Sequence, residues 1–143
     1  MTLRGDYYLF QDRIADAFAP GSFDIILAAF TFDNMPTEAK TDALSALRTL
    51  LVLEGCLLLV VSSPAIYVNE WASFSTCDFL ENRHACDGDR VRIIMLDVPD
   101  HRPVEDVFCT DALYRRLFES AGLRLLDVQS PVCHWEGSDT MDQ

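Results

Sequence analysis

FDIILAAFTFDNMP (residues 23–36), running into TEAKTDALSALRTLLVLEGCLLLVVSSP (residues 37–64), reads as strand, crossover helix and strand. Ile25 to Phe30 is an unbroken apolar run, bounded by Asp24 and by Asp33-Asn34. Such a run suits a parallel strand buried on both faces. After Pro36, Thr37 is the expected N-cap with Glu38 in the first turn. Ala43, Leu44, Leu47, Leu50 and Leu51 then recur at the spacing of one helix face. Gly55 is the expected stop, and Leu57 to Val61 is a second continuous apolar run. Two parallel strands near 24–30 and 56–62 follow, joined by a right-handed crossover. Ligands of open α/β sheets sit outside the carboxyl ends of the strands, which places Thr31 to Asn34 and Ser62 to Trp71 beside any crevice.

These residues resemble class I S-adenosylmethionine-dependent methyltransferases. GSFDIILAAFTFDNMP is similar to that family's fourth strand with its leading Phe-Asp, and LRTLLVLEGCLLLVVSSP to the helix and fifth strand, with Glu54-Gly55 where the turn is usually Gly-Gly. YYLFQDRIADAFAPGSFD resembles the third strand and the loop whose acidic residue approaches the adenine. TDALYRRLFESAGLRLLDVQSP resembles the late helix, near 111–121 and ended by Ala121-Gly122, and the strand after it, near 123–129. The resemblance runs from about Tyr7 to Pro131. It implies an α/β, partial Rossmann-like methyltransferase fold, a mostly parallel sheet with an antiparallel C-terminal strand paired as a hairpin. It also implies S-adenosylmethionine as cofactor, with Asp12, Arg13, Ile14 and Phe30 on the cofactor side. A small-molecule methyl acceptor would lie against Asp33, Asn34, Tyr67 and Trp71.

The family grips its cofactor through a glycine-rich loop after the first strand, because glycine lets backbone approach the ligand and the following helix offers free amides. Ahead of Tyr7 the only glycine is Gly5. The chain therefore reads as the later part of a methyltransferase domain: residues 1–22 third-strand and adenine-loop-like, 23–62 the strand-helix-strand core, 63–109 a substrate-side elaboration, 110–131 the late helix and strand, and 132–143 a tail. Alone it is expected to bind the cofactor weakly or not at all. A partial sheet leaves an edge and apolar faces open, so a homodimer covering that edge, or docking on a partner, is the alternative role. A nucleotide-dependent oxidoreductase would need a Gly-x-Gly-x-x-Gly turn, which the sequence lacks.

Composition fits one domain. With 143 residues, half of them apolar, the chain can bury roughly two-thirds of its unfolded surface in one core. The 11 basic against 23 acidic side chains give a net charge of −12, which repels phosphate and argues against nucleic acid as partner. Glu54 and Gly55 interrupt the longest apolar stretch, so no membrane span is expected. Five widely spaced cysteines suit reduced thiols, and with no signal-peptide core the expected location is cytoplasmic.

The middle segment bears on the substrate. Ile66 to Phe74 has the spacing of a helix presenting Tyr67, Trp71 and Phe74 on one side, either to clamp a planar acceptor or, the more ordinary role of large aromatics, to fill the core. RVRIIMLD (residues 90–97) is strand-like. Cys77, His84, Cys86, His101 and Cys109 show no Cys-x-x-Cys or His-x-x-x-His spacing, so no metal site is expected. His101, flanked by Asp97, Asp100, Glu105 and Asp106, is the candidate general base, against a solvated loop with local ion pairs. Asp33-Asn34 before Met-Pro suits a ligand-facing strand end and a turn equally. Methyl transfer from a sulfonium asks chiefly for alignment and exclusion of water, so no nucleophile need be legible.

Overall fold

The computed structural model describes residues 17–131. Strand β1 (Phe23–Ala29), helix α1 (Thr37–Leu50) and strand β2 (Leu51–Val60) form the expected unit, with β1 and β2 paired in parallel from Ile25 against Cys56 to Ala29 against Val60. After it come β3 (Phe74–Ser75), β4 (Arg90–Met95), β5 (Pro103–Val107) and helix α2 (Asp111–Ser120). β3, β4 and β5 make a separate antiparallel sheet in that order, so the described strands are not mostly parallel. The described residues thus form a mixed α/β fold with a two-stranded parallel sheet and a three-stranded antiparallel one.

α1 packs by the pattern its sequence prescribes. Ala43, Leu44, Leu47 and Leu50 are buried, and with Ala28 of β1 and Leu113, Tyr114 and Leu117 of α2 most of them form the main core. Ile26, Leu57 and Leu59 pack against this cluster, so one face of β1–β2 is covered. The opposite face is not: Ile25, Leu27, Leu58 and Val60 are exposed, Leu27 by 66%. The apolar run of β1 is therefore one buried face and one open one, because among the described residues both helices lie on a single side.

Two signals at the ends of α1 shift. The N-cap position falls to Pro36, whose backbone is extended and which lacks a capping side chain, so Thr37 is the first helical residue. The helix stops at Leu50, and Gly55 serves the strand instead. Between the Phe23–Leu51 and Ile25–Cys56 pairs the β2 side carries Val52–Gly55 as a bulge. A Cβ on Gly55 would lie 3.0 Å from both Leu51 Cδ2 and the Val52 carbonyl oxygen.

The expected helix over 66–74 is only a 3₁₀ turn, Pro64–Tyr67, capped by Ser63. Ser75 and Phe74 pair with β4, which draws the later part of the segment into the antiparallel sheet. The connection after residue 97 yields β5, whose Val107 amide donates to the Asp33 carbonyl over 2.7 Å and joins the two sheets. α2 forms as expected, with Thr110 Oγ1 accepting from the Leu113 amide. The strand expected near 123–129, and its hairpin, are absent. Leu123 packs on the core, but among the described residues no neighbouring strand offers backbone partners to Arg124–Gln129, and Leu126 and Val128 are exposed. Among the described residues no helix is long and apolar enough to cross a membrane.

Candidate functional site

The carboxyl ends of β1 and β2 meet at Asp33. Its carboxylate accepts from the Ser62 amide (3.2 and 3.1 Å) and from Ser62 Oγ (2.7 Å), so the loop after one strand is pinned to the loop after its neighbour. Asp33 is only 7% exposed. Burial raises its pKa above the ordinary carboxylate value, against the pull of the Ser62 bonds and of Lys40.

Lys40 is fully buried within α1, one helical turn from Pro36. Its Nζ donates to the Met35 carbonyl over 2.8 Å and to the Val107 carbonyl over 3.4 Å, tying the β1–α1 loop to the end of β5. Burial lowers its pKa, offset by the nearby Cys109, Asp33 and Asp106. Asp106, also buried, accepts from the Tyr67 hydroxyl over 3.1 Å. Its pKa is raised by burial and then by the charge of Asp33. Burial and the two aspartates push the Tyr67 hydroxyl upward as well. Cys109, at the foot of α2, is pushed up to about 11, mainly by burial. Lys40 and the β5–α2 junction thus stayed hidden in the sequence. A lysine on the apolar face of α1, three residues before Ala43 and four before Leu44, was the available signal.

The expected site residues divide. Asp33 and Tyr67 come together around this buried network, and both are enclosed rather than presented to a ligand. Asn34 lies beside them, exposed, on a cleft of about 450 Å³ whose wall also includes Thr37, Glu38, Asp87, Arg90 and Glu105. Glu105 pairs with Arg90, and Asp87 accepts from the Thr110 amide (2.7 Å) and hydroxyl (3.0 Å). Phe30 ends β1 with φ 57°, its ring exposed, its amide donating to the Val60 carbonyl over 2.8 Å. Trp71 is about half exposed and tilted against Phe74, 5.8 Å between ring centres, whereas Tyr67 turns inward towards Phe108. The three aromatics therefore do not form one stripe.

His101 stands apart. It is exposed in the β4–β5 connection with φ 47°, and no hydrogen bond or ion pair involves it among the described residues. Its neighbour Asp100 pairs with Arg102 at 2.6 Å. No cluster of three metal-ligating side chains occurs among the described residues. Asp12, Arg13 and Ile14 lie outside them.

No family model, curated protein or solved structure matches the chain.

Proposed function

We propose that this chain is the acceptor-side portion of an S-adenosylmethionine-dependent methyltransferase acting on a small molecule, with the grip on the cofactor's amino-acid end supplied from outside these 143 residues. The observation that carries the reading is the parallel β1–α1–β2 unit, with the Phe30–Asn34 and Ser62 loops hydrogen-bonded together at its carboxyl ends. Phe30, with its exposed ring, and Asn34, on the cleft, are the groups left open to ligands there. Asp33, Lys40, Asp106 and Tyr67 are positioning residues. They fix the loops that would align the acceptor, and alignment with exclusion of water is most of what a sulfonium methyl donor requires. β1 and β2 each keep one edge unpaired among the described residues, where further strands of a complete sheet, or a second copy of the chain, would attach. Calorimetric titration of S-adenosylmethionine into the isolated chain tests the division of labour: saturable low-micromolar binding would overturn it.

The second reading is a non-catalytic, partner-binding module. It is favoured by the isolation of His101 and by the enclosure of Asp33 and Tyr67. Concentration-dependent assembly with no response to the cofactor at any concentration would select it.

A further inference from the structure

The described residues build two hydrophobic cores. One lies between the parallel sheet and the helices, around Leu44, Leu47, Leu113 and Leu117; the other lies against the antiparallel sheet, around Tyr67, Val91 and Ile93. The backbone passes from the first to the second between Val61 and Ile66 and returns between Phe108 and Cys109. Two short crossings between separately packed units have the form of a hinge. Across it the units are tied at the end of β5, where the Val107 amide donates to the Asp33 carbonyl over 2.7 Å and Lys40 Nζ donates back to the Val107 carbonyl over 3.4 Å. Beside this tie opens the cleft of about 450 Å³, with Asn34, Thr37 and Glu38 on the parallel-sheet side and Arg90, Glu105 and Val107 on the other. Loosening the tie therefore changes the width of the cleft.

Charge is buried at the same place. Asp33 and Lys40 reach the tie from the parallel-sheet side and Asp106 from β5, all three buried. Tyr67, Cys109 and Tyr114 face the cluster from the 3₁₀ turn, the β5–α2 junction and α2, and Asp87 acts on Cys109 from the loop before β4. Two carboxylates against one ammonium are neutral only while a proton is held between Asp33 and Asp106, and a buried net charge is costly.

Burial raises both carboxyls, so admitting water to the tie, where they return to ordinary values, releases that proton. Opening is therefore favoured as the pH rises above about 4. Lys40, lowered by burial, titrates in the opposite sense, while Tyr67 and Tyr114, both raised, and Cys109, raised to about 11, stay protonated through neutral pH. We propose that Asp33, Lys40 and Asp106 form a latch between the two sheets, which keeps the cleft narrow in mild acid and releases as the pH rises.

The test is hydrogen exchange of the full chain, read amide by amide by NMR and corrected for the intrinsic rate at each pH. Protection of the Val107 amide should fall as the pH rises above about 4, by up to about tenfold per pH unit for one proton released. The Phe108 amide, which donates to the Asp89 carbonyl within the antiparallel unit, and the amides of Leu44 and Leu47 in α1 should keep theirs. Protection of Val107 that does not change with pH would overturn the proposal. So would a loss shared equally by Phe108 or by α1, which is unfolding rather than release. Asp106→Asn leaves one carboxylate against Lys40, so the Val107 protection should no longer depend on pH; a slope equal to wild type overturns the assignment of the latch. Tyr67→Phe keeps Asp106 but removes the hydroxyl that donates to it, and should move the fall to higher pH; no movement counts against the latch. No readout involves the cofactor, so the methyltransferase reading stands or falls separately.

Discussion

Replacing Lys40 by Met should destabilise the fold by about 3 kcal/mol, the size expected when one partner of a buried charge cluster is removed. Met keeps most of the apolar stem packed between α1 and the end of β5, so the loss falls on the ammonium. That group is fully buried and donates to the Met35 carbonyl over 2.8 Å. A charged donor at this distance contributes about 1.5–3 kcal/mol. The longer contact, 3.4 Å to the Val107 carbonyl, adds little. The remainder comes from Asp33 and Asp106, two buried carboxylates that feel one another and lose their shared cation. In a domain of this size ~3 kcal/mol lowers Tm by roughly 10 °C. Urea unfolding at neutral pH measures the change, with the slope unchanged if the native loops merely lose a tether. Adding Asp106→Asn to Lys40→Met should recover about 1 kcal/mol, because the repulsion that Lys40 balanced is gone. A loss below ~1 kcal/mol for Lys40→Met, or no recovery in the double variant, would refute the account of this network.

The pH dependence follows from the same groups. Asp33 and Asp106 have folded pKa values above the ordinary 3.8, so their contribution to stability is fully present below that value and is lost as pH rises through the folded values. Asp106→Asn, which keeps an acceptor for the Tyr67 hydroxyl, should therefore flatten the fall in urea midpoint as pH rises above about 4; an unchanged profile would contradict the assignment. Cys109, raised to about 11, should resist alkylation at about pH 8 in the folded protein while exposed Cys77 and Cys86 react, which peptide mass spectrometry resolves. Gly55→Ala should cost about 1–3 kcal/mol, since the new Cβ meets the Val52 carbonyl and Leu51 Cδ2 at 3.0 Å, and a denaturation midpoint equal to wild type would show that the bulge relaxes freely.

The strand-helix-strand core was legible because its signals are local and agree: two aliphatic runs flank a helix with an apolar face, and β1, α1 and β2 occupy those positions. Periodicity was weaker where tertiary pairing decides. Ile66 to Phe74 has helical spacing, yet Phe74 and Ser75 are taken by β4 and only one 3₁₀ turn survives. PVEDV reads as a charged loop, but Asp106 points into the core and Val104 to Val107 complete a strand against β4. Arg124 to Val128 carries a strand pattern without a neighbour to pair with among the described residues. The polar network is half visible in the sequence: Asp33 stands at a strand end, whereas Lys40 and Asp106 read as ordinary surface residues until three elements converge on them.

Amide chemical shifts recorded while S-adenosylmethionine is titrated into the chain test the functional proposal most directly. It predicts weak, millimolar-range perturbations centred on Phe30–Asn34 and Ser62–Ser63, without saturation at micromolar concentrations. Perturbations centred elsewhere on the chain would contradict the methyltransferase reading, and saturation at low micromolar cofactor would contradict the assignment of the grip to residues outside this chain.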